Sequence, residues 1–260
     1  MNTPAAIGER LRDWRQRRRL SQLDLALDAD ISARHLSFVE TGRSYPSRDM
    51  VLRLADRLDV PLRERNTLLL AAGFAPAFAD RPLSDPALKP ALDGIAALLK
   101  AHEPFPALAV DRKWDLVAAN APVAALVAGA APWLREPPIN VLRLSLHPEG
   151  LAGRIRNLVE WRGHLLDRLR RQFAATADPD IGALIDELTA YPTPHGASRG
   201  RSDIGNAIAV PLELETLNGL MRFISTTLTF GAPSAPALAE LAIETFLPAD
   251  EATMAAIRGS

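Results

Sequence analysis

Between residues 22 and 48 the chain sets out short hydrogen-bonding side chains and arginines: Gln22, then Ser32, Ala33, Arg34 and Ser37, then Arg43, Ser44 and Arg48. A carboxamide, small hydroxyls and guanidinium groups are the donors that suit phosphate oxygens and base edges. Ala33 is small and apolar, the type that can touch a thymine methyl. The chemistry on offer is recognition of double-stranded DNA.

Two short helices must position these groups. Ser21 caps the first, Asp24 supplies the carboxylate of a capping box, and Leu20 and Leu25 stand at the spacing of a hydrophobic staple. The same grammar recurs eleven residues later, where Ser32 caps, Ile31 precedes it and Leu36 closes the staple. Asp30-Ile31 leaves no room for a longer return, so the helices must cross steeply. That is helix-turn-helix geometry, in which the second helix can enter a major groove. Leu36 and Val39 fall on its buried side, leaving Ser32, Ala33, Arg34 and Ser37 outside. A capped hairpin inside an ordinary helical bundle would carry the same caps.

The surrounding pattern completes an all-α N-terminal domain of five helices over 6–73. Ile7, Leu11 and Trp14 give the first helix (about 6–19) its apolar face. Gly42 supplies positive φ after the second helix of the pair. Ser47 caps a fourth helix burying Met50, Val51, Leu54 and Leu58; Pro61 opens a fifth and Gly73 closes it.

Composition narrows the function. The 260 residues, 48% hydrophobic, suffice for two modest cores. With no cysteine there is no disulfide framework or thiolate metal site, which fits a reducing cytoplasm. MNTPAAIGERL does not read as a signal peptide, and no apolar run approaches the ~18 residues of a membrane span. The expectation is a soluble cytoplasmic protein with no membrane partner. Net charge is −1, but residues 1–48 hold nine arginines against six carboxylates, with RQRRR at 15–19 the densest run. The five histidines are scattered, no Gly-rich loop follows a strand, and Ser84, Ser198 and Ser202 lack a nucleophile-elbow context. No enzyme activity, cofactor or metal is expected.

Residues from about Ile7 to Val60 resemble the Cro/C1-type (XRE-family) helix-turn-helix domain of phage repressors and bacterial regulators. The likeness is carried by LRDWRQRRRLSQLDLA, ISARHLSFVETGRSYPS and MVLRLADRLDV, with Glu40-x-Gly42-Arg43 and Pro46 in place. It implies that Arg15 pairs with Glu40, fixing the first helix to the recognition helix. Ala33 departs from the family pattern, where a hydrogen-bonding side chain is common.

Residues 74–104 read as a linker, FAPAFADRPLSDP, and a connecting helix with Leu88, Leu92, Ile95 and Leu99 on one stripe. From Phe105 the period changes. ALAVD and WDLVAAN form two strands joined by a tight turn at Arg112-Lys113, and Asn120 caps the next helix. The longest helix is expected over about 151–174, and Asp178-Pro179 starts another. Residues 191–203 read as a loop. Ile208, Val210, Leu212 and Leu214 alternate as a strand, and Asn218-Gly219 signals a two-residue hairpin turn placing Glu215 opposite Arg222 and Leu214 opposite Phe223. Residues 238–247 fit strand or helix; a strand would complete a five-stranded sheet. Asp250 caps a terminal helix.

This order, over 105–258, is that of an α+β PAS-like domain with an antiparallel sheet. ALAVDRKWDLVAAN, NVLRLSLHPEG and IRNLVEWRGHLLDRLR resemble the MmyB-like ligand-binding domain found after XRE modules. The resemblance implies a pocket for a small apolar effector such as a fatty acid. Its expected lining is Leu116, Ala118, Val123, Leu144, Leu158, Trp161, Ile208 and Phe223, with Asn157, close to Arg154, at a polar end. The whole reads as a sequence-specific transcriptional regulator. It would bind as a homodimer to half-sites about 34 Å apart. A protein-interaction module whose helix-turn-helix no longer touches DNA is the competing class.

Overall fold

The computed structural model describes residues 4–192 and 210–259. The main boundary between two compact units falls between Pro82 and Leu83.

The first unit is built of α1 (Pro4–Arg17), α2 (Gln22–Asp28), α3 (Ala33–Glu40), α4 (Arg48–Arg57) and α5 (Leu62–Ala71). Serine caps start three of them. Ser21 Oγ accepts from Asp24 N–H while Asp24 accepts from Ser21 N–H, a complete capping box. Ser32 and Ser47 accept from His35 and Met50 N–H. All five helices stop in the same way. A residue after each takes left-handed φ: Arg19 (56°), Asp30 (53°), Gly42 (74°), Asp59 (47°) and Gly73 (83°). The following N–H then reaches back to the last turn: Leu20 to Arg15, Ile31 to Ala26, Arg43 to Phe38, Val60 to Ala55 and Phe74 to Leu69. This Schellman closure satisfies carbonyls that the helix end leaves free. Four of those following residues are apolar, and each joins the core formed by Ile7, Leu11, Trp14, Leu25, Leu36, Val39, Val51, Leu54, Leu58 and Leu69.

The second unit is an α+β domain. α6 (Lys89–Ala101) packs against the first two strands and so belongs to this unit. The strands are β1 (Ala107–Val110), β2 (Leu116–Ala119), β3 (Leu212–Thr216), β4 (Gly219–Thr229) and β5 (Ala242–Pro248). They form one five-stranded antiparallel sheet of order β2-β1-β5-β4-β3. Residues 242–248 are therefore strand, and β5 sits at the centre. Between β2 and β3 come α7 (Ala121–Val127), α8 (Val141–Leu146), α9 (Leu158–Thr176) and α10 (Pro179–Ala190), and α12 (Glu251–Arg258) follows β5; α11 (Pro236–Ala239), which precedes β5 in the chain, is counted with the first unit. Leu165, Leu169, Ile181, Leu188, Leu214 and Phe223 lie in one core joining helices and sheet.

Four details differ from the sequence reading. The β1–β2 connection spans Asp111 to Asp115, because Asp111 Oδ1 accepts from both Lys113 and Asp115 N–H. Asn120 sits at the start of α7, but its side chain bonds Ala107 N–H and the carbonyls of Leu99 and Phe105 rather than the helix. The long helix begins at Leu158, not 151. Ile155 bridges to Leu214 and Arg156 N–H donates to Glu213, which pulls that segment onto the sheet. The hairpin pairs Leu214 with Met221 and Glu213 with Arg222, so its turn is Leu217-Asn218. Gly219 then takes φ 98°, the position of a glycine bulge after the turn. Ile208 and the loop from 193 lie outside the described residues.

Candidate nucleic-acid interface and ligand cavity

The interface starts from how α3 is held. Arg15 grips Glu40 with two nitrogens, Nε to Oε1 at 2.6 Å and Nη2 to Oε2 at 2.8 Å, and its third donates to Leu20 O. Glu40 is 5% exposed. The carboxylate's hydrogen bonds raise the Arg15 pKa, outweighing the opposing effect of burial. Gln22 Nε2 donates to the same Oε2 at 2.8 Å. Gln22 thus ties the start of α2 to the end of α3. A close approach helps: a Cβ on Gly8 of α1 would lie 2.4 Å from Val39 O and 2.6 Å from Glu40 O.

With that end fixed, the other end of α3 faces outward. Ser32 and Arg34 are exposed, and the Arg34 guanidinium lies 5.3 Å from the Phe38 ring centroid. Ser37 is half-buried; Ala33 is half-buried and touches the helical core. Arg43 and Arg48 are exposed and Ser44 half-buried. In the RQRRR run, Arg18 bonds the carbonyls of Leu58 and Asp59 after α4, while Arg17 and Arg19 are exposed. Tyr45, 69% exposed beside Arg43 and Ser44, was not singled out from sequence. Its signal is an aromatic side chain in a loop with a buried proline, Pro46, to anchor it.

The second unit encloses a cavity of about 160 Å3 between the sheet and α7, α8 and α9. Leu116, Val123, Leu144 and Trp161 line it. Leu158 and Phe223 lie in the surrounding core without reaching it, and Ala118 pairs with Ala109 in the sheet. Asn157 is 1% exposed and bonded through both polar atoms: its Nδ2 donates to Pro211 O and its Oδ1 accepts from Glu213 N–H, which seats the edge strand β3. Arg154 bonds the carbonyls of Leu126, Ala128 and Glu215.

Polar groups that periodicity did not reveal complete the wall. Arg168 of α9 binds Glu244 of β5 through both carboxylate oxygens, at 2.9 and 2.5 Å, and lies 4.5 Å from the Trp114 ring centroid. Trp161 Nε1 donates to Ser145 Oγ at 3.0 Å. Behind the wall, Arg143 of α8 grips Glu187 of α10, which also accepts from Tyr191 OH at 2.6 Å. Hydrogen bonds from Arg143 hold Glu187 below the usual carboxylate range, and burial pushes the Tyr191 hydroxyl well above its own. Among the described residues no group of three or more His, Asp or Glu could hold a metal ion, and no helix is long and apolar enough to cross a membrane.

A helix-turn-helix domain matches residues 6–68, and the MmyB-like transcription regulator ligand binding domain matches residues 92–259. No curated protein matches the chain. Among solved structures, the clp gene regulator ClgR from Corynebacterium glutamicum is 23% identical, over 39% of this chain and 94% of that one, with a TM-score of 0.24. An RNA-binding light-oxygen-voltage receptor is 17% identical, over 98% of this chain and 62% of its own, with a TM-score of 0.23. Superpositions at these scores define no shared fold. The ligand-binding-domain match alone spans more than half of the sequence, so the chain belongs to the family of MmyB-like transcription regulators, with a helix-turn-helix domain ahead of the ligand-binding domain.

Proposed function

We propose that this DNA-binding transcription regulator is of the XRE (Cro/C1) type. It reads duplex DNA with the N-terminal turn of α3, and its affinity is set by a small, mostly apolar effector, fatty-acid-like in character, in a PAS-like C-terminal domain. One observation carries the DNA reading: Ser32 and Arg34 are exposed at one end of α3 while Arg15, Gln22 and Glu40 immobilise the other. Base contacts require a helix presented at a fixed angle, and Arg43 and Arg48 stand where phosphate contacts would set register. The strand order and the apolar cavity support the sensory half. The protein acts in the cytoplasm as a symmetric homodimer on two half-sites, and it binds rather than turns over its ligand. Effector occupancy must favour one of two dimer geometries by differential affinity.

The test begins by selecting a duplex from a random pool with the full-length protein. Arg34→Ala should lose about 1–3 kcal/mol of affinity for the selected site if it contacts a base. Arg48→Ala should weaken all duplexes alike and flatten the dependence on salt. An interaction module that has given up DNA would select nothing and show no salt-dependent binding.

A further inference from the structure

In the second unit α6 packs on β1 and β2 and leaves the outer face of β4 bare. Side chains alternate along the strands. Ser225, Glu244 and Phe246 face the interior cavity, while Ile224, Thr226 and Leu228 face away from it, opposite Leu247, Thr245 and Ile243. Between the end of β4 and α6 runs an open groove of about 350 Å3, lined by Leu98, Leu228 and Phe230 over the buried Ile95 and Ile243. Among the described residues, five of the twelve large apolar side chains left exposed lie on this face or in its groove: Leu98, Ile224, Leu228, Phe230 and Leu247. Clustering of that kind marks an interaction surface; scattered exposure does not. None of the residues lining the groove is ionisable. Thr226 and Thr245 spend their hydroxyls on each other. Charges at the margin are paired within the chain: Lys89 with Asp93, Lys100 with Glu103, and Arg222 with Glu213 and Asp250. Gly94, also in the groove, is the odd residue. It sits in the interior of α6, where glycine weakens a helix. A Cβ there would meet nothing within 4 Å, so no close approach inside the chain accounts for the missing side chain.

We infer that a second copy of this chain docks on the outer face of β4 and the adjoining side of α6. The inference rests on the homodimer reading above and gives that dimer its contact surface. Charge and shape both select a second copy. A neutral surface offers nothing to DNA or to an acidic or basic segment, yet it meets its own two-fold image without repulsion. The groove exceeds the roughly 150 Å3 that holds one benzene ring, so it takes several side chains of a protein surface. An isologous interface also needs a knob and a hole on the same patch. Leu98 is exposed on α6, and Gly94 leaves a gap one helical turn before it. A two-fold axis crossing α6 seats each Leu98 over the partner's Gly94, ridge into groove. The uncharged strip of β4 extends the contact beyond the helix.

Sedimentation equilibrium of the full-length protein without DNA tests this. The parent should be a dimer, and high salt should not dissociate it, because the contact carries no charge. Gly94→Leu fills the hole, and Leu228→Lys puts a charge on the strip. Each should raise the dimer dissociation constant about tenfold or more. Both positions are open within a single chain, so each variant should keep the helical circular dichroism of the parent. Loss of that signal in one leaves the other to decide. Leu27→Lys removes a more exposed leucine, on α2 of the first unit, and should leave the dimer intact. A dimer that survives in either folded variant, that high salt dissociates, or that Leu27→Lys breaks as well overturns the assignment of this face and leaves the homodimer reading standing. A parent that sediments as a monomer overturns both.

Discussion

Among the described residues, the best-buried arginine–carboxylate pairs of the two compact units have different surroundings. Arg15 and Glu40 have side chains 10% and 1% exposed, and Gln22 and the Leu20 carbonyl take up further hydrogen-bonding capacity. Apolar residues fill the core beside them. Arg168 and Glu244 are 22% and 5% exposed, and they line the cavity with their neighbours. A buried pair adds little net stability over an apolar one, but it fixes geometry. In the first unit the geometry fixed is the angle of α3. In the second it is the separation of α9 from β5, which keeps the cavity wall from collapsing inward. One unit is packed solid around its pair and the other is built around a cavity.

That contrast predicts unequal penalties. Glu40→Ala leaves the Arg15 guanidinium buried without its partner and should cost about 3–5 kcal/mol in urea unfolding followed by helical circular dichroism. Glu244→Ala leaves Arg168 more exposed and still bonded to Thr227 Oγ1; the loss should be about 1.5–3 kcal/mol. Replacing Arg15 and Glu40 together by Met and Leu should recover most of the first loss, yet relax the angle of α3 and weaken DNA binding. Equal costs for the two single variants would erase the distinction between the pairs.

Packing gives a smaller effect that sharpens the same contrast. Leu36 is fully buried in the helical core, and Leu36→Ala should cost about 2–5 kcal/mol. Leu144 is 6% exposed but already faces the cavity. Its truncation surrenders fewer contacts and should fall at or below about 2 kcal/mol, the low end for such changes. If Leu144→Ala proved the costlier of the two, the cavity would have to be filled by neighbouring side chains in solution.

The sequence showed most clearly what is local. Ser21, Ser32, Ser47, Asp178 and Asp250 all cap the helices they precede, because a cap is decided within three residues. Gly42 and Gly73 announced two left-handed helix ends. Arg19, Asp30 and Asp59 did not, since a residue with a Cβ gives no such signal; the apolar residue after each was the available clue. The Asn218-Gly219 pair marked the hairpin but not its register, because glycine serves equally in a two-residue turn and in the bulge after one. Gln22 suits a DNA contact by its type and place, but the sequence does not reveal that its amide also meets Glu40 eighteen residues away. The cavity's polar wall was hidden for the same reason. Arg168 and Glu244 lie 76 residues apart, and only the central placement of β5 brings them together.

The smallest expected effect is one of pH, and it is confined to the second unit. His164 stacks on Trp161, a cavity residue, with ring centroids 5.7 Å apart. Burial lowers its pKa from 6.5, Arg168 and Arg171 add to the shift, and Asp167 and Glu244 oppose it. The folded protein therefore holds this histidine neutral at a pH where the unfolded chain protonates it. The unfolded state binds more protons, so stability rises with pH across the window below 6.5 and is lost as pH falls through it. Glu187 and Asp250 have lowered carboxyl pKa values, so their losses begin only as pH falls into the ordinary carboxylate range, below about pH 5. Between pH 7.5 and pH 5.5 the urea midpoint of the parent should drop, and that of His164→Gln should stay level. A parent midpoint that rises on acidification, or a variant that tracks the parent, would remove His164 as the cause.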